Sequence, residues 1–179
     1  RLAQVLATYS HLNVTAAIRS PASLPVWRTV EISGLDADTD WSDTLVGQHV
    51  VIHTAARAHI MKDEVVDSLA EYRRVNVDCT LNIASQAAAL GVKRFIFISS
   101  IKVNGEQTII GKPFTAEDSP APEDAYGLSK VEAEEGLLKL AAETGMEVVI
   151  IRQPLLYGPR VKSSEEHTSE LQSRQVISY

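Results

Sequence analysis

Apolar positions along this chain switch between two periods. Residues 1–10 carry Leu2, Val5, Leu6 and Tyr9 at helical spacing. Residues 13–18 and 30–32 are short apolar runs, and Ser20, Pro21 and Pro25 break the chain between them. Residues 41–46 predict a short helix with Asp40 as its cap. Residues 50–53 are apolar nearly throughout, as a parallel strand covered on both faces should be. Over 63–90 one helical stripe runs through Val65, Leu69, Tyr72, Asn76, Cys79, Ile83, Ala87 and Leu90, and Gly91 stops it. Residues 94–99 predict a strong strand. Residues 102–124 read as loop, with Gly105, Gly111, Pro113, Pro120 and Pro122. Residues 126–144 predict a helix that ends at Gly145. Ala133, Leu137 and Leu140 share its apolar stripe, and Glu132, Glu134, Glu135 and Lys139 lie mostly off it. Residues 147–152 predict the last strand. Strands alternating with helices mean a parallel α/β sheet covered on both faces.

Composition narrows this picture. A length of 179 residues fits one domain, and 45% hydrophobic with 22% charged residues is ordinary for a soluble globular chain. The net charge of −6 opposes general affinity for nucleic acid or anionic membrane. No apolar run reaches membrane-spanning length, and the N-terminus is not a signal peptide. Cys79 is the single cysteine, so no internal disulfide forms, and a cytoplasmic setting is expected. The sequence opens at Arg1 with a helix under way, as expected of a fragment. Residues 164–173 break character and resemble the in-frame translation of a sequencing adapter. A capping box, Ser163-x-x-Glu166, is the structural alternative. Residues 163–179 are therefore set aside as a non-native tail, with His167 among them, and 1–162 are taken as the domain.

The chemistry centres on Tyr126-Gly127-Leu128-Ser129-Lys130. On a helix, Tyr126 and Lys130 share a face. A neighbouring ammonium favours the phenolate, so the pair predicts a tyrosine with a lowered pKa, usable as a general base. A half-buried aromatic with a snorkelling lysine has the same spacing. Ala55 and Ala56 end a buried strand in small residues, which lets a ligand approach the backbone at the carboxyl end of a sheet. Tight packing explains them equally. Asn76 is polar on an apolar stripe and needs a partner, either backbone or water at a cofactor site. Ser99 and Ser100 place two hydroxyls at a strand end, where serines more often serve turns.

Together, His53-Thr54-Ala55-Ala56, Asn76-Val77-Asp78-Cys79-Thr80, Ser99-Ser100 before Val103-Asn104-Gly105, Tyr126-x-x-x-Lys130 and Tyr157-Gly158-Pro159 resemble the extended short-chain dehydrogenase/reductase superfamily, in its NAD-dependent epimerase/dehydratase branch. Within the branch, the chain is most similar to UDP-glucose 4-epimerase-related proteins. The resemblance implies a Rossmann-like doubly wound parallel sheet, here incomplete. It implies that Tyr126 takes a proton from a sugar hydroxyl, that Lys130 lowers the pKa of Tyr126 and bonds the nicotinamide ribose, and that Ser100 orients the sugar, with Ser99 in reserve. Ala55 and Ala56 would line the cofactor channel, with Asn76 nearby, and Pro154 and Leu155 would lie beside the nicotinamide. The implied cofactor is NAD, with NADP as the alternative. The implied partners are a nucleotide-sugar substrate and, in the full-length parent, a second copy of the chain. No metal is implied.

The sequence departs from the family pattern in several places. The Gly-rich phosphate loop and the strand before it are absent, and the resemblance places them just before Arg1. Without that strand two apolar edges are exposed, so the chain is expected to bind NAD poorly and to aggregate. Aligned on Leu35-Asp36, which belong to the adenine region, Gly34 stands where the family commonly has an acidic residue. Cys79 replaces the usual glycine of Asn-x-x-Gly-Thr, and Asn104 stands where many members have tyrosine. Arg19, after the second strand, can accept a 2′-phosphate or can be a solvated strand-end charge. Three functions follow: a nucleotide-sugar 4-epimerase, a keto-sugar reductase towards which Arg19 leans, and a non-enzymatic NAD(P)-binding protein. Retention of Tyr126 and Lys130 weighs against the last. Ile101 and Lys102 stand where 4,6-dehydratases carry an Asp-Glu pair, which weighs against dehydration.

Overall fold

Phe95 and Phe97 are fully buried, and the sheet is built around the strand that carries them. That strand, β4 (Arg94–Ser100), alternates strictly: Phe95, Phe97 and Ser99 are buried, and Ile96, Ile98 and Ser100 are half-buried. Burial of each phenyl ring contributes about 1.5–3 kcal/mol. β4 pairs in parallel with β3 (Val50–His53) on one side and β5 (Glu147–Gln153) on the other. A second parallel pair joins β1 (Thr15–Ile18) to β2 (Arg28–Glu31). The computed structural model describes residues 2–6, 8–19, 28–57 and 67–154. Among them, the order is β1-β2 in one sheet and β3-β4-β5 in the other. The edge of β3 away from β4 pairs with no described strand, and its Val50 and Ile52 are exposed.

Helices are defined by their caps. The long helix α5 (Ala125–Thr144) starts where the Asp124 carboxylate accepts from the Gly127 amide at 2.6 Å. It stops at Gly145, whose φ of 73° is left-handed. It packs on β4, β5 and α4. The helix expected over 63–90 runs unbroken from Ser68 to Ala89 within the described residues, with one change of hydrogen-bond register. Asp67 is non-helical and caps the Ala70 amide at 3.0 Å, so α3 begins at Ser68 (Ser68–Tyr72). A π-helical turn (Arg73–Asp78) follows, then α4 (Cys79–Ala89). The wider turn puts both Tyr72 and Asn76 inside. Val65 of the expected stripe lies outside the described residues, and Leu90 sits exposed at the helix end.

Other expectations shift too. The short helix α2 (Ser42–Leu45) has Trp41 at its cap position. Asp40 bonds the Ser42 amide at 2.9 Å from one residue further out. Helix α1 (Leu2–Leu6) is shorter than its pattern, and Leu2, Val5 and Tyr9 are exposed instead of forming an inward stripe. On α5, Glu134 is buried, although its charge suggested an outward position. The core joins Trp41 and Leu45 of the α2 region, Ile83, Ala84 and Ala87 of α4, Phe95 and Phe97 of β4, and Ala133 and Leu137 of α5. No helix among the described residues is long and apolar enough to cross a membrane.

Candidate active site

The carboxyl end of β4 meets the first turns of α5. Gly127 makes the approach possible: a Cβ there would lie 2.9 Å from the Lys102 carbonyl oxygen and 3.1 Å from the Pro122 ring. Tyr126 is half-buried on this turn. The Ser100 side chain, at the end of β4, lies near enough to the phenol to favour its ionised form, and the Ser100 hydroxyl accepts from the Lys102 amide at 3.3 Å. The ring of Tyr72 stands edge-on to it, with centroids 6.0 Å apart. The expected phenol and strand-end hydroxyl are therefore neighbours.

Lys130 behaves differently from the expectation. Its ammonium is buried, donates to the Ile98 carbonyl oxygen at 2.8 Å and lies 4.1 Å from the centre of the Phe97 ring. It is aimed at β4 and not at the phenol. Burial lowers its pKa to about 8, against the opposing pull of Glu134. The Tyr126 pKa is raised, the reverse of the expectation. Burial is the main cause, and Asp124 and Tyr72 add to it. The Ser100 side chain and the Lys102 cation act against it.

Ser99 points to the opposite side of β4 from Ser100. Its hydroxyl donates to Glu134 Oε1 at 2.5 Å, inside the protein. Arg152 closes on the same carboxylate from β5, with Nη2 2.7 Å from Oε2. Ser99 is thus held in a buried network, away from the phenol. Asn76 uses backbone as its partner. Its Oδ1 accepts from the Arg57 amide at 2.8 Å, and its Nδ2 donates to the Arg57 carbonyl at 3.1 Å and to Ser129 Oγ at 3.0 Å. The clamp holds the segment after β3 against α5. In that segment Ala55 is half-buried and Ala56 exposed, which leaves the backbone there approachable.

The remaining expected residues lie further out. Arg19 is exposed just beyond β1, and Leu35 packs against the core. Pro154 is exposed just after β5, and Leu155, Tyr157, Gly158 and Pro159 lie outside the described residues. Sequence reasoning passed over Glu134, Arg152 and His53. The signals were available: Glu134 is one helical turn after Lys130, and Arg152 is a charge directly after the apolar run 148–151. His53 Nε2 lies 3.0 Å from Thr80 Oγ1, and its ring stacks on Phe97. Burial, with a smaller contribution from the Lys130 charge, lowers its pKa to about 4, so it is neutral at pH 7.

Parallel strands ending near a tyrosine and a strand-end serine invite comparison with known proteins. The sequence profile of the NAD dependent epimerase/dehydratase family matches residues 1–178. The chain belongs to this family. A UDP-glucose 4-epimerase from Vibrio cholerae is 47% identical over 175 residues, which is 98% of this chain and 53% of that protein. Family folds already solved superpose well. The UDP-glucuronic acid 4-epimerase from Bacillus cereus in complex with NAD gives a TM-score of 0.73 at 26% identity, over 89% of this chain and 54% of that one. A short-chain dehydrogenase/reductase superfamily protein from Agrobacterium tumefaciens with bound NAD gives 0.69 at 27% identity, over 84% and 44%. The fold is Rossmann-like, and its sheet is incomplete relative to the family. This epimerase/dehydratase chain spans about half the length of the Vibrio cholerae relative it matches.

Proposed function

We propose that the chain is the cofactor-binding part of an NAD-dependent nucleotide-sugar 4-epimerase that acts on a UDP-sugar in the cytoplasm. The observation that carries the reading is the placement of Ser100, at the carboxyl end of a parallel strand, near the phenol of Tyr126 in the first turn of α5. The 47% identity to a UDP-glucose 4-epimerase supports the choice of reaction.

The residues present fit the nicotinamide end of NAD. Ala55 and Ala56 leave backbone open at the end of β3, and Ser100 supplies a half-buried hydroxyl at the end of the neighbouring β4. Bound NAD would supply the hydride-transfer chemistry at the sugar carbon. The chain's own work is positioning and proton transfer. Ser100 would hold the sugar hydroxyl at the phenol, and Tyr126 would exchange its proton. The raised pKa keeps the phenol protonated at neutral pH, which suits the return of a proton. The base direction needs positive charge brought closer to the phenol than Lys130 stands here. A homodimer of the full-length protein belongs to the same proposal. Leu138, exposed on α5, supports it.

Replacing Tyr126 by Phe in the full-length protein tests the reading. Turnover of UDP-sugars should fall by about 10²–10⁴-fold with NAD binding retained. Unchanged turnover would remove Tyr126 from the chemistry. A reductase is the second reading, favoured by exposed Arg19 beyond β1. Net consumption of NAD(P)H with a keto sugar, and no epimerisation, would put it first.

A further inference from the structure

Helix α5 is fastened to the end of β4 at successive turns of one face. Lys130 donates to the Ile98 carbonyl and Glu134 accepts from Ser99, and one turn earlier Tyr126 lies near Ser100. The contact of Glu134 with Ser99 is the most elaborate. Ser99 and Arg152 are direct partners in the β4–β5 ladder, and the Glu134 carboxylate bridges them. Arg152 also reaches Asn104 Oδ1 at 3.3 Å, and Asn104 in turn donates to the Thr115 carbonyl at 3.4 Å. Asn104 closes the 3₁₀ turn (Ile101–Val103) that follows Ser100. The network therefore holds the chain on both sides of Ser100.

We propose that Glu134 and Arg152 form a buried clasp that positions Ser100 against Tyr126, acting through Ser99 on one side and Asn104 on the other. They are positioning residues, and the inference rests on the epimerase reading above. The physical argument is one of alternatives. A buried ion pair gives little net stability, and two apolar side chains of similar size would hold the fold as well. What apolar contacts do not supply is direction. Ser99 and Ser100 project to opposite faces, so orienting the Ser99 hydroxyl also orients Ser100. With Glu134 3% exposed and Ser99 2% exposed, water offers these groups no ready substitute partner.

The test uses the full-length protein and two changes: Ser99→Ala, and Glu134→Met combined with Arg152→Met. Each is followed by its melting temperature, kcat and KM for a UDP-sugar, and ultraviolet difference titration of Tyr126 against a Tyr126→Phe blank. The groups facing that phenol are Ser100, Lys102, Asp124 and Tyr72. A misplacement of about 1 Å costs on the order of 100-fold, so kcat should fall about tenfold to a hundredfold. KM should hold within about threefold, and the phenol should titrate at higher pH once the Ser100 hydroxyl moves away from it. The double variant should melt at or above wild type and still show the low kcat. If it does not fold, Ser99→Ala carries the test. Wild-type kcat and an unmoved phenol titration in a folded variant overturn the clasp, as does a loss explained by the unfolded fraction alone. If the wild type turns over no UDP-sugar but the phenol titration still shifts, the clasp stands and the epimerase reading falls.

Discussion

The two sheets of this protein are held very differently. In β3–β4–β5, Phe95 and Phe97 are fully buried, and Ala133 and Leu137 of α5 close over the same core. In β1–β2, every described residue is half-buried or exposed, and the nearest buried apolar group is Ile32, just past β2. The first sheet carries Ser100 and backs Tyr126 and Lys130. The second carries only Arg19 at its end. Rigid packing thus lies under the groups proposed to react, where sub-ångström placement would matter, and is thin in β1–β2.

The largest effect should come from breaking the packed sheet. Phe97→Ala should cost about 3–5 kcal/mol in urea unfolding, and Val30→Ala of β2 about 1 kcal/mol or less. Equal costs would erase the contrast. Amide exchange sharpens the same point without mutation: β4 amides should exchange only on global unfolding, and β1–β2 amides by smaller openings.

His53 offers a pH handle on the packed sheet alone. Its folded pKa of about 4 lies below the ordinary 6.5, so the folded state favours the neutral ring. The stability it protects is complete above pH 6.5 and is lost as pH falls from 6.5 towards 4. The loss amounts to about 3 kcal/mol. His53→Gln should flatten that part of the pH–stability curve relative to wild type. Identical slopes would mean that the imidazole is not the group responsible.

The smallest effect is expected at the surface. Arg73 makes a bidentate pair with Glu132, tying the π-helical turn to α5. Both side chains are solvent-accessible, so Arg73→Ala should leave the urea midpoint essentially unmoved. A large shift would mean that the two helices depend on that pair more than on their apolar contact.

The order of strands and helices was written in local periodicity, because burial on a repeating backbone demands a repeating pattern. Val50–His53, Arg94–Ser100 and Ala125–Thr144 lie close to where their apolar spacing placed them. The Tyr126/Lys130 face and the two strand-end hydroxyls were visible for the same reason. Which group each side chain would choose was not visible. Alternation separates Ser99 from Ser100, but only the placement of α5 decides that Ser100 lies near the phenol and Ser99 meets Glu134. The spacing of Lys130 gave a shared face, but through-space packing turned its ammonium to the Ile98 carbonyl, and burial raises the pKa of the phenol. Burial of Glu134 likewise depends on Arg152, 18 residues away and on another element. Pattern along the chain selects faces. Partners are chosen in three dimensions, where desolvation and charge from distant residues outweigh anything a neighbour in sequence can signal.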